Sequence, residues 1–91
     1  MLVHKEAIIR GKVQGVFYRG STREKALELE VAGEVWNNAD GSVGLIAEGE
    51  EAQVDALLAW CWQGSLRADV QEVIVSTGTI KGFKNFIVKR F

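Results

Sequence analysis

Alternating hydrophobic and polar positions along the chain predict four or five short β-strands. In residues 5–13, Ala7, Ile9 and Val13 fall on one face, and Ile8, Arg10 and Lys12 fall on the other. Strict alternation of this kind indicates a half-buried strand. Residues 31–36, 42–48 and 70–76 predict three further strands, and residues 86–90 a short fifth.

Two stretches follow helical spacing instead. Val54, Leu57, Leu58 and Cys61 lie at positions i, i+3, i+4 and i+7, which predicts an amphipathic helix over residues 50–63 with Gly64 at its C-terminal cap. Residues 21–24 read Ser-Thr-Arg-Glu, the spacing of a capping box, and predict a helix that begins at Ser21 and ends near Glu30.

The resulting order is strand, helix, strand, strand, helix, strand, which predicts a single α+β domain over residues 1–91. Its architecture is the ferredoxin-like βαββαβ sandwich, with two helices on one face of a four- to five-stranded, mostly antiparallel sheet. In this topology the first and second strands run parallel with the third between them. The loop at residues 15–20 and the end of the second strand near residue 37 therefore meet at one edge.

Composition excludes several kinds of site. The chain has 91 residues, a formal net charge of −1, a hydrophobic fraction of 47%, one cysteine and one histidine. An ordinary globular domain is expected, without an intrachain disulfide, a cysteine-rich zinc site or a multi-histidine metal site. No apolar run approaches the ~20 residues of a membrane span, so a cytoplasmic protein without a membrane partner is expected. The net charge of −1 does not favour a nucleic-acid partner, and a monomer is the default for a domain of this size.

Charge is distributed unevenly and suggests an anion site near the start of the chain. Residues 1–23 carry a net charge of +4, whereas residues 24–55 carry −8. Within the positive part, the loop Gln14-Gly15-Val16-Phe17-Tyr18-Arg19-Gly20 leads directly into the first predicted helix. Helix N-termini and glycine-rich turns present N–H groups to phosphate, and Arg19 adds a planar fork of donors. A tight connection with Arg19 as a solvated surface charge remains the alternative.

The same region resembles the first signature of the acylphosphatase family. Residues 11–19 read Gly-Lys-Val-Gln-Gly-Val-Phe-Tyr-Arg, and residues 33–43 are similar to the second signature, with Asn37 followed by Asp40-Gly41. Glu48-Gly49 and the closing residues 86–90 also fit, so the resemblance covers essentially the whole chain. Glu34 and Trp36 depart from the second signature, where an aromatic and a basic residue are usual, and Ser65 stands where Pro is frequent.

The resemblance implies hydrolysis of acyl phosphates to a carboxylate and inorganic phosphate, without a cofactor or metal. By this resemblance, Gln14, Gly15, Val16, Phe17, Tyr18 and Arg19 form the phosphate-binding loop, Arg19 holds the phosphate, and Asn37 holds the attacking water. Asn38 is then expected in the following turn, and inorganic phosphate is expected as product and competitive inhibitor.

His4 is placed near a frayed terminus with no catalytic role.

Two alternatives from other functional classes remain. A catalytically silent phosphate-binding or regulatory module would use the same fold without turnover. An RNA-recognition domain shares the element order, and residues 81–88 approach its aromatic RNP1 pattern. That pattern is interrupted by one extra residue at Lys84-Asn85, which breaks the alternation that would place both aromatic rings on one face.

Overall fold

The secondary structure follows the predicted order. A computed structural model describes residues 1–90, and Phe91, which the single-domain prediction includes, lies outside the described residues. The strands and helices are β1 (Leu2–Lys12), α1 (Tyr18–Glu28), β2 (Ala32–Asn37), β3 (Val43–Glu50), α2 (Glu51–Cys61), β4 (Asp69–Gly78) and β5 (Phe86–Val88).

The five strands form one mixed sheet in the order β4-β1-β3-β2-β5. β3 pairs antiparallel with both β1 and β2, β4 pairs antiparallel with β1, and β5 pairs parallel with β2. This confirms the ferredoxin-like prediction and its five-stranded form. Because β3 separates them, β1 and β2 run in the same direction, and both end at the same edge of the sheet.

The hydrophobic core lies between the helices and one face of the sheet. Leu45 of β3 is buried there, as predicted by strand alternation. The predicted α2 stripe of Val54, Leu57, Leu58 and Cys61 is buried as well. Gly64 follows α2 with a φ of 69°, a left-handed conformation that suits a helix C-terminus.

The predicted start of α1 is wrong. The helix begins at Tyr18 and not at Ser21, and its N-cap residue Phe17 has a φ of 61° and makes no side-chain cap. The Tyr18 ring is buried, and its hydroxyl donates to the Cys61 carbonyl at 2.7 Å. This long-range contact draws Tyr18 into the helix, where Thr22 and Ala26 continue the same buried face. Residues 18–20 therefore form the first helical turn and are not part of a loop.

The placement of His4 at a frayed terminus is also wrong. β1 pairs with β3 from Leu2 onward, and the His4 side chain is fully buried. Its Nδ1 lies 2.6 Å from Oε2 of Glu48, and its Nε2 lies 2.8 Å from Oε2 of Glu6. Burial disfavours the charged imidazole, but these two carboxylates outweigh it and raise the pKa of His4 above its usual value.

Glu48 anchors the connection between β4 and β5. Its carboxylate accepts hydrogen bonds from the backbone N–H groups of Lys81, Gly82 and Phe83 at 2.6 to 3.0 Å. Burial alone would raise the pKa of Glu48, but these N–H groups and His4 stabilise the carboxylate and lower the pKa to about 2.

Candidate functional site

A cavity of about 230 Å³ opens at the edge where β1 and β2 end. Gly15, Phe17 and the first turn of α1 line one side of it. Asn37, Val88 and Arg90 line the other side. The topology thus brings together the loop and the strand end that the sequence analysis expected to meet.

The first turn of α1 supplies backbone donors to this cavity. The first bond of the helix runs from the N–H of Ser21 to the Phe17 carbonyl at 3.1 Å, so the N–H groups of Tyr18, Arg19 and Gly20 have no acceptor one turn earlier in the helix. Helix N-termini carry about half a positive charge and bind anions. This end of the cavity therefore favours a phosphate-like ligand.

Gly20 is in close contact with the side chain of Phe17. The Phe17 ring lies over Gly20, and a Cβ there would come within 2.4 Å of a ring carbon. Gly15 has a φ of 74° and precedes Phe17, which has a φ of 61°, so the backbone turns sharply twice before the helix begins. Such turns direct successive N–H groups toward one point.

Arg19 lies in the first turn and reaches the opposite side of the cavity. Its Nη1 donates to the backbone carbonyl of Lys89 at 3.2 Å. A guanidinium has five N–H donors in one plane, so this bond orients the group and leaves donors for a ligand.

Asn37 and Asn38 have different environments. Asn37 lines the cavity, and its Oδ1 is buried with no hydrogen-bond donor among residues 1–90. Asn38 belongs to the turn, where its Nδ2 donates to Ser42 Oγ and its Oδ1 accepts from Trp36 Nε1, both at 3.0 Å. A buried acceptor is nearly always paired in folded proteins, so Asn37 Oδ1 is suited to accept from a ligand or a water.

Two residues of the predicted loop lie behind the cavity and not in its lining. Gln14 Nε2 donates to the carbonyls of Asn38 and Ser42 at 2.8 and 2.9 Å. The Val16 carbonyl accepts from Ser65 Oγ at 2.7 Å. These bonds hold the connection to the β2–β3 turn on one side and to the segment after α2 on the other. Of the six predicted loop residues, Gly15, Phe17, Tyr18 and Arg19 line the cavity.

The contribution of the C-terminal residues to the cavity was not predicted from the sequence. Val88 and Arg90 line the cavity because β5 pairs parallel with β2 and ends at the same edge. The available signal was the basic pair Lys89-Arg90 at the end of a predicted strand.

The two departures from the family signature lie on the open face of the sheet, away from the cavity. Trp36 covers Gly44, where a Cβ would come within 2.4 Å of the indole. Glu34 is largely buried, and its Oε2 lies 3.5 Å from Lys89 Nζ. Both residues therefore lie beside the site, and neither lines the cavity.

No three side chains of the His, Cys, Asp and Glu types converge as metal ligands within residues 1–90. Neither of the two helices in this part of the chain is long and apolar enough to cross a membrane.

Comparison with known proteins links the chain to one family. The sequence model of the family "Acylphosphatase" matches residues 5–88. An acylphosphatase of Acaryochloris marina is 47% identical over 85 residues, which cover 93% of this chain and 91% of that protein.

Solved structures give the same result. An acylphosphatase from Coxiella burnetii is 36% identical, with a TM-score of 0.94 and coverage of 97% of this chain and 93% of that one. An acylphosphatase from Bacillus subtilis is 30% identical, with a TM-score of 0.94 and coverage of 99% and 100%.

Proposed function

This chain belongs to the acylphosphatase family, and we propose that it hydrolyses acyl phosphates with Arg19 and Asn37 as its catalytic side chains. Acyl phosphates are mixed anhydrides of a carboxylic acid and phosphoric acid. The products are a carboxylate and inorganic phosphate. One observation carries the assignment of residues: Arg19, the first turn of α1 and Asn37, whose Oδ1 has no donor among residues 1–90, line the same cavity.

The phosphoryl group binds at the N-terminus of α1. Its oxygens accept from the backbone N–H groups of the first turn and from the Arg19 guanidinium, whose orientation is fixed by the Lys89 carbonyl. Phosphoryl transfer depends mainly on positioning and on stabilisation of the charge on the transferred oxygens. Preorganised donors of this type supply that stabilisation.

Asn37 positions the attacking water. A water that donates to Asn37 Oδ1 keeps its lone pair available for the phosphorus atom. As the new P–O bond forms, the bond from phosphorus to the acyl oxygen breaks, and its electron pair leaves with the carboxylate. The carboxylic acid has a pKa of roughly 4, so the leaving group needs no general acid. The proton of the water passes to an oxygen of the phosphoryl group.

Timed hydrolysis of benzoyl phosphate in the presence of EDTA tests this function. We expect turnover by the wild-type protein, and loss of turnover in Arg19→Gln and Asn37→Ala with the fold intact by circular dichroism. A silent phosphate-binding module would instead bind inorganic phosphate without hydrolysing the anhydride. Absence of turnover in a folded wild-type protein contradicts the proposal.

The proposal extends to inhibition and to partners. Inorganic phosphate is a competitive inhibitor, and the protein is a cytoplasmic monomer that binds neither a membrane nor nucleic acid. Phosphate offers the cavity the same oxygens as the substrate. The net charge of −1 gives little support for nucleic-acid binding. RNA affinity with a steep salt dependence would contradict that last point.

A further inference from the structure

The end of the chain brings a second cationic side chain to the cavity. Arg90 lines it together with Arg19 and Asn37, and the same three residues and Lys89 line an adjoining depression. Arg90 is exposed, and within residues 1–90 no hydrogen bond or ion pair occupies its guanidinium. We propose that Arg90 binds the phosphoryl oxygens as a second cation beside Arg19, an inference that rests on the proposed function.

Strand alternation directs Arg90 toward the site. Phe86 of β5 is 1% exposed and faces the helices, whereas the next residue, Ile87, is 44% exposed on the open face. The pairing with β2 continues past β5, because the Lys89 N–H donates to the Val35 carbonyl at 2.9 Å. Alternate residues share a face, so Val88 and Arg90 point to the same side as Phe86. Both residues accordingly line the cavity.

Lys89 is committed elsewhere, although it also carries a positive charge. Its Nζ lies 3.5 Å from Glu34 Oε2, on the open face of the sheet. Its backbone is held on both sides, by the bond to Val35 and by the Arg19 guanidinium at its carbonyl. These bonds fix the point from which the next side chain, Arg90, extends.

The charge of the ligand favours a second cation. A phosphoryl group carries about −1.5 to −2 charges near pH 7. Arg19 contributes one positive charge and the helix N-terminus about half of one, so a phosphoryl dianion keeps about half a negative charge unbalanced. The full positive charge of Arg90 covers this remainder. Because it lies at the exposed rim, its interaction is screened by salt.

The test compares Arg90→Gln with a control variant, Lys84→Gln. The control removes an exposed cation in the β4–β5 connection and changes the net charge by the same amount as Arg90→Gln. The inhibition constant of inorganic phosphate and the KM for benzoyl phosphate are measured at low and high ionic strength. We expect Arg90→Gln to raise both constants about tenfold at low salt, a change of about 1.4 kcal/mol. Lys84→Gln should change them less than twofold, and Arg90→Lys should retain most of the affinity.

The salt dependence gives a readout that a purely structural role would not move. The difference between wild type and Arg90→Gln should shrink at high ionic strength, while the melting temperatures of the two proteins stay equal. Equal phosphate inhibition in Arg90→Gln and Lys84→Gln overturns the role of Arg90 and leaves the proposed function standing. A wild-type protein that neither hydrolyses benzoyl phosphate nor binds inorganic phosphate overturns both.

Discussion

The guanidinium of Arg19 donates to the backbone carbonyl of Lys89 at 3.2 Å and so joins the first turn of α1 to the segment that follows β5. The two residues are 70 positions apart in the chain. They meet because β5 pairs parallel with β2, and its C-terminal end lies at the edge where β1 and β2 also end. This bond holds the guanidinium beside the cavity and leaves its other N–H donors available for a ligand.

Arg19→Gln should lower kcat by roughly a hundredfold to a thousandfold, the usual effect of removing a preorganised donor from a developing anion. Inhibition by inorganic phosphate should weaken in parallel, because the same donors hold the product. Arg19→Lys should not restore activity, since an ammonium cannot donate to the Lys89 carbonyl and the phosphoryl group with the geometry of a planar fork. Steady-state kinetics with benzoyl phosphate measure both effects. Near-normal turnover of the lysine variant would show that catalysis does not need the planar fork of donors of Arg19.

Asn37→Ala should lower kcat strongly and leave KM and phosphate inhibition nearly unchanged. The reason is that the amide orients water in the transition state and does not hold the phosphoryl group of the bound substrate. Asn38→Ala is the matched control, because it removes only the contacts to Trp36 and Ser42 in the turn. It should cost about 1 kcal/mol of unfolding free energy with little change in kcat. An inactive Asn38→Ala beside an active Asn37→Ala would reverse the assignment.

Gln14→Leu should reduce both stability and kcat/KM, although Gln14 does not line the cavity. The change removes two hydrogen bonds to backbone carbonyls, those of Asn38 and Ser42, and so releases the connection from the β2–β3 turn. Both carbonyls keep a second backbone donor, the N–H groups of Gly41 and Asn38. The loss of unfolding free energy should therefore be about 1–3 kcal/mol, the net contribution of two hydrogen bonds at about 0.5–1.5 kcal/mol each. Urea unfolding measures this loss. Unchanged kinetics in a destabilised variant would show that the connection keeps its shape without this support.

Glu48 makes stability depend on acid pH. Its pKa is lowered from 4.5 to about 2 in the folded protein, so its contribution is present above about pH 4.5 and is lost as the pH falls toward 2. Glu48→Gln should cost roughly 3 kcal/mol at pH 7, because the backbone N–H groups of residues 81–83 and His4 lose the carboxylate that they stabilise. It should also flatten the dependence of unfolding free energy on pH between 4.5 and 2. Glu24→Gln, at an exposed position of α1, is the control and should keep the wild-type slope.

His4 makes stability depend on pH in the opposite direction. Its pKa is raised above 6.5, so its contribution is complete below pH 6.5 and is lost as the pH rises through the folded-state value. Since His4 is the only histidine in the chain, a single imidazole resonance reports its titration by NMR. A midpoint above 6.5 is expected, and a midpoint below 6.5 would show that burial outweighs the two carboxylates.

The sequence predicted the features that depend on local pattern and on topology. The α2 stripe follows from spacing alone, and the meeting of Arg19 with Asn37 at one edge follows from the element order and the family signatures. It did not predict features set by contacts between distant residues. The start of α1 depends on the bond from Tyr18 to the Cys61 carbonyl, 43 positions away. The position of Arg90 depends in the same way on the parallel pairing of β5 with β2.

The burial of His4 was missed for a related reason. Its partner Glu48 lies 44 positions later in the chain and is itself held by the β4–β5 connection. A lone histidine near the N-terminus carries no sequence signal for such a partner. Only the antiparallel register of β1 with β3 brings the two side chains together.

Hydrolysis of benzoyl phosphate in H₂¹⁸O, with EDTA present, tests most directly the claim that a water held by Asn37 attacks phosphorus in the Arg19 cavity. Mass spectrometry of the products locates the new oxygen. The account predicts one ¹⁸O atom in each inorganic phosphate formed and none in benzoate, at a rate that falls strongly in Asn37→Ala. Enzyme-dependent incorporation of ¹⁸O into benzoate would show attack at the carbonyl carbon and would contradict it.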